Sequence, residues 1–357
     1  MEPLDKLRAR LADNGLDSVI VSDLNTIGWL TGFTGTFARV VVSPSSARFI
    51  TDSRYTIQAG EEVSGIDIVS FASPTDGDEF TAEQARDLGV SKAGFESASV
   101  TYSQWQSWST KMEGIELVPL KDLSDLRLVK SPAEVAKLRK ACGLADAAFS
   151  HIQRLVQPGV TELDIALDLE FFIRRQGAEI AFPSIVVSGE RSARPHGKPS
   201  EKKLEVGDFV TFDFGARVEG YNSDITRTVV VGEASDRHRE VYGAVLKAQL
   251  AALDAIKPGV AARDVDKVAR DILGEYDLAK YFGHGLGHGL GRVVHDGGRL
   301  SPSSSDMIEV GQIWTVEPGT YIPGFGGVRI EDDVVVTEDG IEILTHSTKE
   351  LLVLPSR

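Results

Sequence analysis

Two stretches far apart in the chain echo each other, and each ends in a carboxylate. Glu205-Val206-Gly207-Asp208-Phe209-Val210-Thr211-Phe212-Asp213 finds a partner in Glu309-Val310-Gly311-Gln312-Ile313-Trp314-Thr315-Val316-Glu317. A second echo pairs Asp224-Ile225-Thr226-Arg227-Thr228-Val229-Val230-Val231 with Glu331-Asp332-Asp333-Val334-Val335-Val336. If the two halves meet face to face, Asp213, Asp224, Glu317 and Glu331 converge near an axis. Uncompensated negative charges gathered inside a domain are expensive, so the site must hold protons or cations. Two divalent metals balance four carboxylates. Oxygen-rich ligation with one imidazole suits Mn²⁺, Co²⁺, Fe²⁺ or Zn²⁺ and disfavours copper.

The imidazole has an obvious source. Gly283-His284-Gly285-Leu286-Gly287-His288-Gly289-Leu290-Gly291 is followed closely by His295, so three of the seven histidines fall within twelve residues. Alternating glycines cannot sustain a helix, and they allow a close backbone approach to a ligand. A dinucleotide loop is the rival reading. It lacks the strand–helix context and the ribose-binding acid that such a loop requires. A fourth histidine, His196, sits in the loop signal Ser192-Ala193-Arg194-Pro195-His196-Gly197 and matches His295 by repeat position.

The elements that must carry these residues are legible as periodic patterns. Asp5 to Asn14 reads as a helix stopped by Gly15, and Ser18 to Ser22 as a buried strand. Val40 to Ser43 and Arg48 to Thr51 read as strands, Thr101 to Lys111 as a helix and Ile115 to Pro119 as a strand. A boundary follows. Ser131, Pro132 and Glu134 spell a capping box with proline at the first helical position. Beyond it, Ile256-Lys257-Pro258-Gly259-Val260 repeats Val156-Gln157-Pro158-Gly159-Val160 one hundred positions on, each after one helix and before another. Two copies of that length exclude a solenoid and predict a duplicated, pseudo-twofold domain.

The net charge of −15 argues against nucleic acid or an anionic membrane as partner. No run of about 18 apolar residues could span a bilayer, and the N-terminus lacks a basic segment followed by an apolar one. Cys142 is the only cysteine, so no disulfide framework or thiolate zinc site is expected. It lies in a helical pattern and reads as a small packing residue. A cytoplasmic location is expected.

The order Asp213, Asp224, His288, Glu317, Glu331 resembles the pita-bread metallopeptidases. Asn222-Ser223-Asp224-Ile225-Thr226-Arg227-Thr228, His284 to Gly291, Glu317-Pro318-Gly319 and Gly327-Val328-Arg329-Ile330-Glu331-Asp332 look like its proline-specific branch, the prolidases and aminopeptidases P. The resemblance covers almost the whole chain. It implies an α/β (α+β) protein, with a creatinase-like mixed α/β N-terminal domain over 1–126 and a duplicated pseudo-twofold pita-bread catalytic domain over 127–357. It further implies two divalent ions per chain (Mn²⁺, Co²⁺ or Zn²⁺) held by Asp213, Asp224, His288, Glu317 and Glu331.

Further roles follow from the same resemblance. His196, His284 and His295 match the substrate-binding and transition-state histidines, Glu317 is the proton shuttle, and Arg329 anchors a ligand carboxylate. The expected substrate is a small peptide with proline second, and the expected assembly a homodimer. Whether the peptide is a dipeptide or longer is open. Leu30 to Gly35 and Thr51 to Ala59 look more like aminopeptidases P, but Thr36-Phe37-Ala38-Arg39 departs from the small residues common there. A dipeptide ends in a carboxylate beside its proline, and an arginine from the first domain could pair with it. Arg39, with Arg48 behind it, is the candidate, which favours a dipeptidase. The alternatives are an aminopeptidase P acting on longer peptides and a non-catalytic peptide-binding module of the same fold.

Overall fold

The computed structural model describes residues 2–121 and 123–355. The chain divides into two compact units, Met1–Arg127 and Leu128–Arg357.

The first unit is built on a six-stranded mixed sheet. Its strands are β1 (Ser18–Val21), β2 (Arg39–Val42), β3 (Ala47–Asp52), β4 (Asp67–Phe71), β5 (Lys92–Glu96) and β6 (Glu116–Leu120), in the order β4-β3-β2-β1-β5-β6. The β1–β2 and β2–β3 pairings are antiparallel and the other pairings are parallel. Among the described residues, five α-helices surround it: α1 (Pro3–Asp13), α2 (Leu24–Thr31), α3 (Thr56–Glu62), α4 (Gly77–Asp87) and α5 (Tyr102–Lys111). In β1 the apolar residues alternate between two cores, as the two-residue side-chain period requires. Val19 and Val21 join Leu7, Leu11 and Phe49, while Ile20 joins Ala82 and Trp108. Both faces are covered, which is why β1 reads as an unbroken apolar run.

Arg39 departs from expectation. It opens β2 and is buried, and its guanidinium is spent inside this unit. It donates to the Gly77 carbonyl at 2.9 Å and to Thr81 Oγ1 at 2.8 Å, and it pairs with Asp78. Arg48 is held by Gln84 and Asp87. A guanidinium so occupied is a structural tie, and Arg39 is therefore withdrawn as the substrate-carboxylate anchor.

In the second unit, α6 (Pro132–Ile152) begins with the Ser131/Glu134 capping box, both of its hydrogen bonds formed. Then α7 (Glu162–Arg175) precedes antiparallel strands Ile185–Ser188, Phe209–Phe214 and Ile225–Val231. The plan recurs with α8 (Asp236–Ala255), α9 (Ala262–Glu275) and strands Gly287–His288, Ile313–Val316 and Asp332–Thr337. Each half fills its own core, Phe149, Leu169 and Phe212 in the first and Val245, Leu273 and Trp314 in the second. The halves are tied by the Glu331 N–H to the Thr226 carbonyl at 3.1 Å and by a fully buried Arg227–Asp332 ion pair at 2.8 Å. No described helix is long and apolar enough to cross a membrane.

Candidate active site

The strand register explains why the carboxylates meet. Phe214 pairs with Ile225, so Asp213 on one strand and Asp224 just before the next lie at the same end of an antiparallel pair. Val316 pairs with Asp332, so Glu317 just after one strand and Glu331 just before the next repeat that placement. Asp224 and Glu331 are buried. Ligand atoms of Asp224, His288 and Glu331 lie within 4.8 Å of one another. His288 Nε2 is 3.7 Å from Asp224 Oδ2 and 3.5 Å from Glu317 Oε1.

The donor chemistry fits cations. His288 Nδ1 lies 3.1 Å from the Gly289 carbonyl, which can only accept, so the ring proton belongs there. Nε2 then presents a lone pair toward two carboxylates. Burial, with His295 beside it, lowers the His288 pKa to about 3, so the imidazole is neutral as a ligand must be. Burial, reinforced by mutual repulsion, raises the carboxyl groups of Asp224 and Glu317 well above their usual range. The same causes, desolvation and then Asp213, raise Glu331 to about 8. Asp224 Oδ1 is buried with no hydrogen-bond partner among the described residues. These are the marks of a site completed by divalent cations.

The surroundings fix each candidate ligand. Thr226 Oγ1 donates to Glu331 Oε2 at 2.6 Å and Thr315 Oγ1 to Glu317 Oε1 at 3.3 Å. Arg329 reaches Asp213 with one nitrogen and donates to Thr226 Oγ1 at 3.0 Å and to Tyr321 Oη at 2.7 Å with the others. Asp224 has no ladder partner for its own N–H, which donates instead to Asp333 Oδ2 at 2.9 Å. The glycines of the histidine segment have a different reason from the expected one. A Cβ on Gly287 would stand 2.0 Å from the Thr315 carbonyl oxygen, and one on Gly289 2.0 Å from that of Gly297. They admit neighbouring backbone rather than a ligand.

The metal-ligand candidates and all three further histidines line one cleft, of about 1280 Å³. His196 and His295 are exposed there, and the His295 ring lies edge-on to His288 with centroids 4.2 Å apart. His284 is half-buried with both ring nitrogens engaged. Nδ1 faces the Gly285 carbonyl at 2.8 Å and Nε2 the Tyr321 hydroxyl at 2.8 Å. Burial and Arg329 lower its pKa to about 4, so Tyr321 is the donor to Nε2.

Sequence reasoning missed Arg299 and Tyr321. Arg299 is an exposed cation lining the cleft, and its side chain makes no hydrogen bond or ion pair with the described residues. An arginine in a glycine turn carries no pattern to betray it. Only the pairing of Arg299 with His288 across two short strands brings it to the site.

Comparison with known proteins gives a consistent picture. An Xaa-Pro dipeptidase of Pyrococcus furiosus is 36% identical over 355 residues, covering 98% of this chain and 99% of its own. The structure of an Xaa-Pro dipeptidase from Bacillus anthracis superposes with a TM-score of 0.96 at 44% identity, covering 99% of both chains. An X-Pro aminopeptidase from Thermotoga maritima superposes with a TM-score of 0.88 at 36% identity, covering 96% of this chain and 99% of that one. Residues 3–129 match the Creatinase/Prolidase N-terminal domain and residues 136–338 match metallopeptidase family M24, and the chain belongs to that family.

Proposed function

We propose that the protein is an Xaa-Pro dipeptidase working with two divalent ions, Mn²⁺, Co²⁺ or Zn²⁺, held by Asp213, Asp224, His288, Glu317 and Glu331. The observation that carries this reading is the cluster of buried carboxylates with a neutral imidazole at the base of the cleft. When bound, such ions supply Lewis acidity and an activated water. Glu317, 3.5 Å from His288 in the same cluster, can carry a proton to the proline nitrogen of the departing residue. That nitrogen has no hydrogen in the peptide, so its protonation is what makes it a leaving group. His295, exposed beside His288, can donate to the carbonyl oxygen as negative charge develops. The exposed Arg299 guanidinium in the cleft offers a bidentate partner for a dipeptide's carboxylate. A homodimer in the cytoplasm belongs to the same proposal.

A second reading, an aminopeptidase acting on longer peptides, draws on the cleft volume of about 1280 Å³, more than a dipeptide needs, and on the Thermotoga likeness. Hydrolysis of Xaa-Pro and Xaa-Pro-Yaa compared in Mn²⁺, Co²⁺ and Zn²⁺ separates the two. The dipeptidase reading expects faster turnover of Xaa-Pro, abolished by chelator. It also expects Arg299→Met to raise KM for Xaa-Pro alone. A preference for Xaa-Pro-Yaa overturns it, and peptide binding without hydrolysis in any metal would make the protein a binding module.

A further inference from the structure

His196 stands in the cleft with no hydrogen bond from its ring to any described residue, so the backbone that carries it must set its position. That backbone is pinned at both ends by one buried acid. Glu162, the first residue of α7, accepts from Ser188 N at 2.7 Å and Ser188 Oγ at 2.9 Å. It also accepts from Ser200 N at 3.1 Å and Ser200 Oγ at 2.7 Å. Arg191 Nε lies 3.1 Å from both Glu162 oxygens, and its Nη2 donates to the Lys198 carbonyl at 2.7 Å. The segment 188–200, with His196 inside it, is thus closed by an acid–arginine pair.

The second half has the same device around His284. Asp266, buried on α9, accepts from Arg270 Nε at 2.7 Å and from the Leu286 N–H at 3.0 Å. Arg270 donates to the Phe282 carbonyl at 3.0 Å and to the carbonyl of His284 itself. Helices α7 and α9 are repeat counterparts, but the acids are not. By the hundred-residue offset, Glu162 corresponds to Ala262 and Asp266 to Ala166. The arrangement was therefore not inherited in place from the duplication; each half builds it from a different helical turn. A requirement common to both halves explains that better than local stability alone.

We infer that Glu162 with Arg191, and Asp266 with Arg270, are positioning residues that set His196 and His284 respectively at the cleft. This rests on the proposed role of those histidines toward the peptide. The arginines are the better targets, because their side chains are 24% and 26% exposed while the acids are buried.

The test is a pair of double-mutant cycles on the metal-loaded enzyme with an Xaa-Pro dipeptide. Arg191→Met should lower kcat/KM roughly 10- to 100-fold, the cost of a small displacement. It should cost about two-fold or less in a His196→Ala background, yet keep its full effect in a His284→Ala background. Arg270→Met should show the mirror pattern, and Arg191→Lys should recover part of the loss. Independently of turnover, the ring-proton NMR signal of His196 should shift in Arg191→Met while that of His238, on α8, holds. Equal losses in all backgrounds would overturn the inference, because the pairs would then serve only the fold. A His196→Ala enzyme with unchanged kcat/KM would overturn the role of His196 itself, and its brace with it.

Discussion

Glu331 illustrates how one residue's protonation reports on the whole centre. Its pKa of about 8, from burial and then Asp213, lies above the ordinary 4.5. A raised folded value means that the bound proton stabilises the folded chain. That contribution is complete below the unfolded carboxylate range and is lost as pH rises through about 8. Asp224 and Glu317 are shifted in the same direction. A divalent ion held by these carboxylates would replace their protons, so metal uptake at neutral pH should release them. The gain in Tm on adding Mn²⁺ should grow from about pH 6 to about pH 8.5. Thermal unfolding with and without metal, and calorimetry in buffers of different ionisation enthalpy, check both; a gain that shrinks with pH contradicts the assignment. Asp333 gives a second residue-level expectation. It receives the Asp224 N–H and, at 3.3 Å, the Cys142 thiol. Asp333→Ala removes the acceptor that fixes the backbone of the proposed ligand Asp224 and should weaken metal binding about 10- to 100-fold. Asp333→Asn, which keeps an acceptor, should lose less in a chelator-competition titration.

At the scale of elements, most of what positions the site is legible in sequence. The capping box that starts α6, the Pro-Gly turns before α7 and α9, and the carboxylates at matched strand ends all carry local signals. What is not legible depends on packing between distant segments. Gly287 reads as a ligand-approach glycine, whereas its lack of a Cβ is needed by the Thr315 carbonyl. Gly287→Ala should therefore cost about 3 kcal/mol by overpacking. Because it displaces the neighbouring His288, it should also lower metal content, read by urea unfolding and metal analysis together. Arg39 shows the same limit from the other side. Its type suits a carboxylate anchor, but its partner Asp78 lies 39 residues away on α4 and is invisible to motif reading. Arg39→Met leaves Asp78 without its cation and should destabilise the first unit by about 3 kcal/mol. An unchanged unfolding midpoint with a raised KM for Xaa-Pro would return Arg39 to the substrate.

At the scale of the catalytic unit, the pseudo-twofold is imperfect at one decisive point. Ser188 pairs with Val210 and Val187 with Thr211 in the first half. In the second, Gly289 bridges to Trp314, and the His288 N–H donates to Thr315 Oγ1 at 3.0 Å. Thr211 and Thr315 are counterparts in the repeat, so Val187 occupies the position that His288 occupies in the other half. Duplication supplied the four carboxylates in pairs, and divergence supplied an imidazole on one side only. Val187 is buried and apolar, and cannot substitute. If two ions occupy this centre, a single imidazole cannot serve both alike. His288→Ala should therefore weaken one metal step far more than the other, and a stepwise titration of metal-free protein with Mn²⁺ or Co²⁺ should resolve them. The retained step should keep the proton release expected of the carboxylates, since Asp224, Glu317 and Glu331 remain. Two steps weakened to the same degree would mean that the imidazole acts on the centre as a whole and that the asymmetry of the fold does not reach the metals.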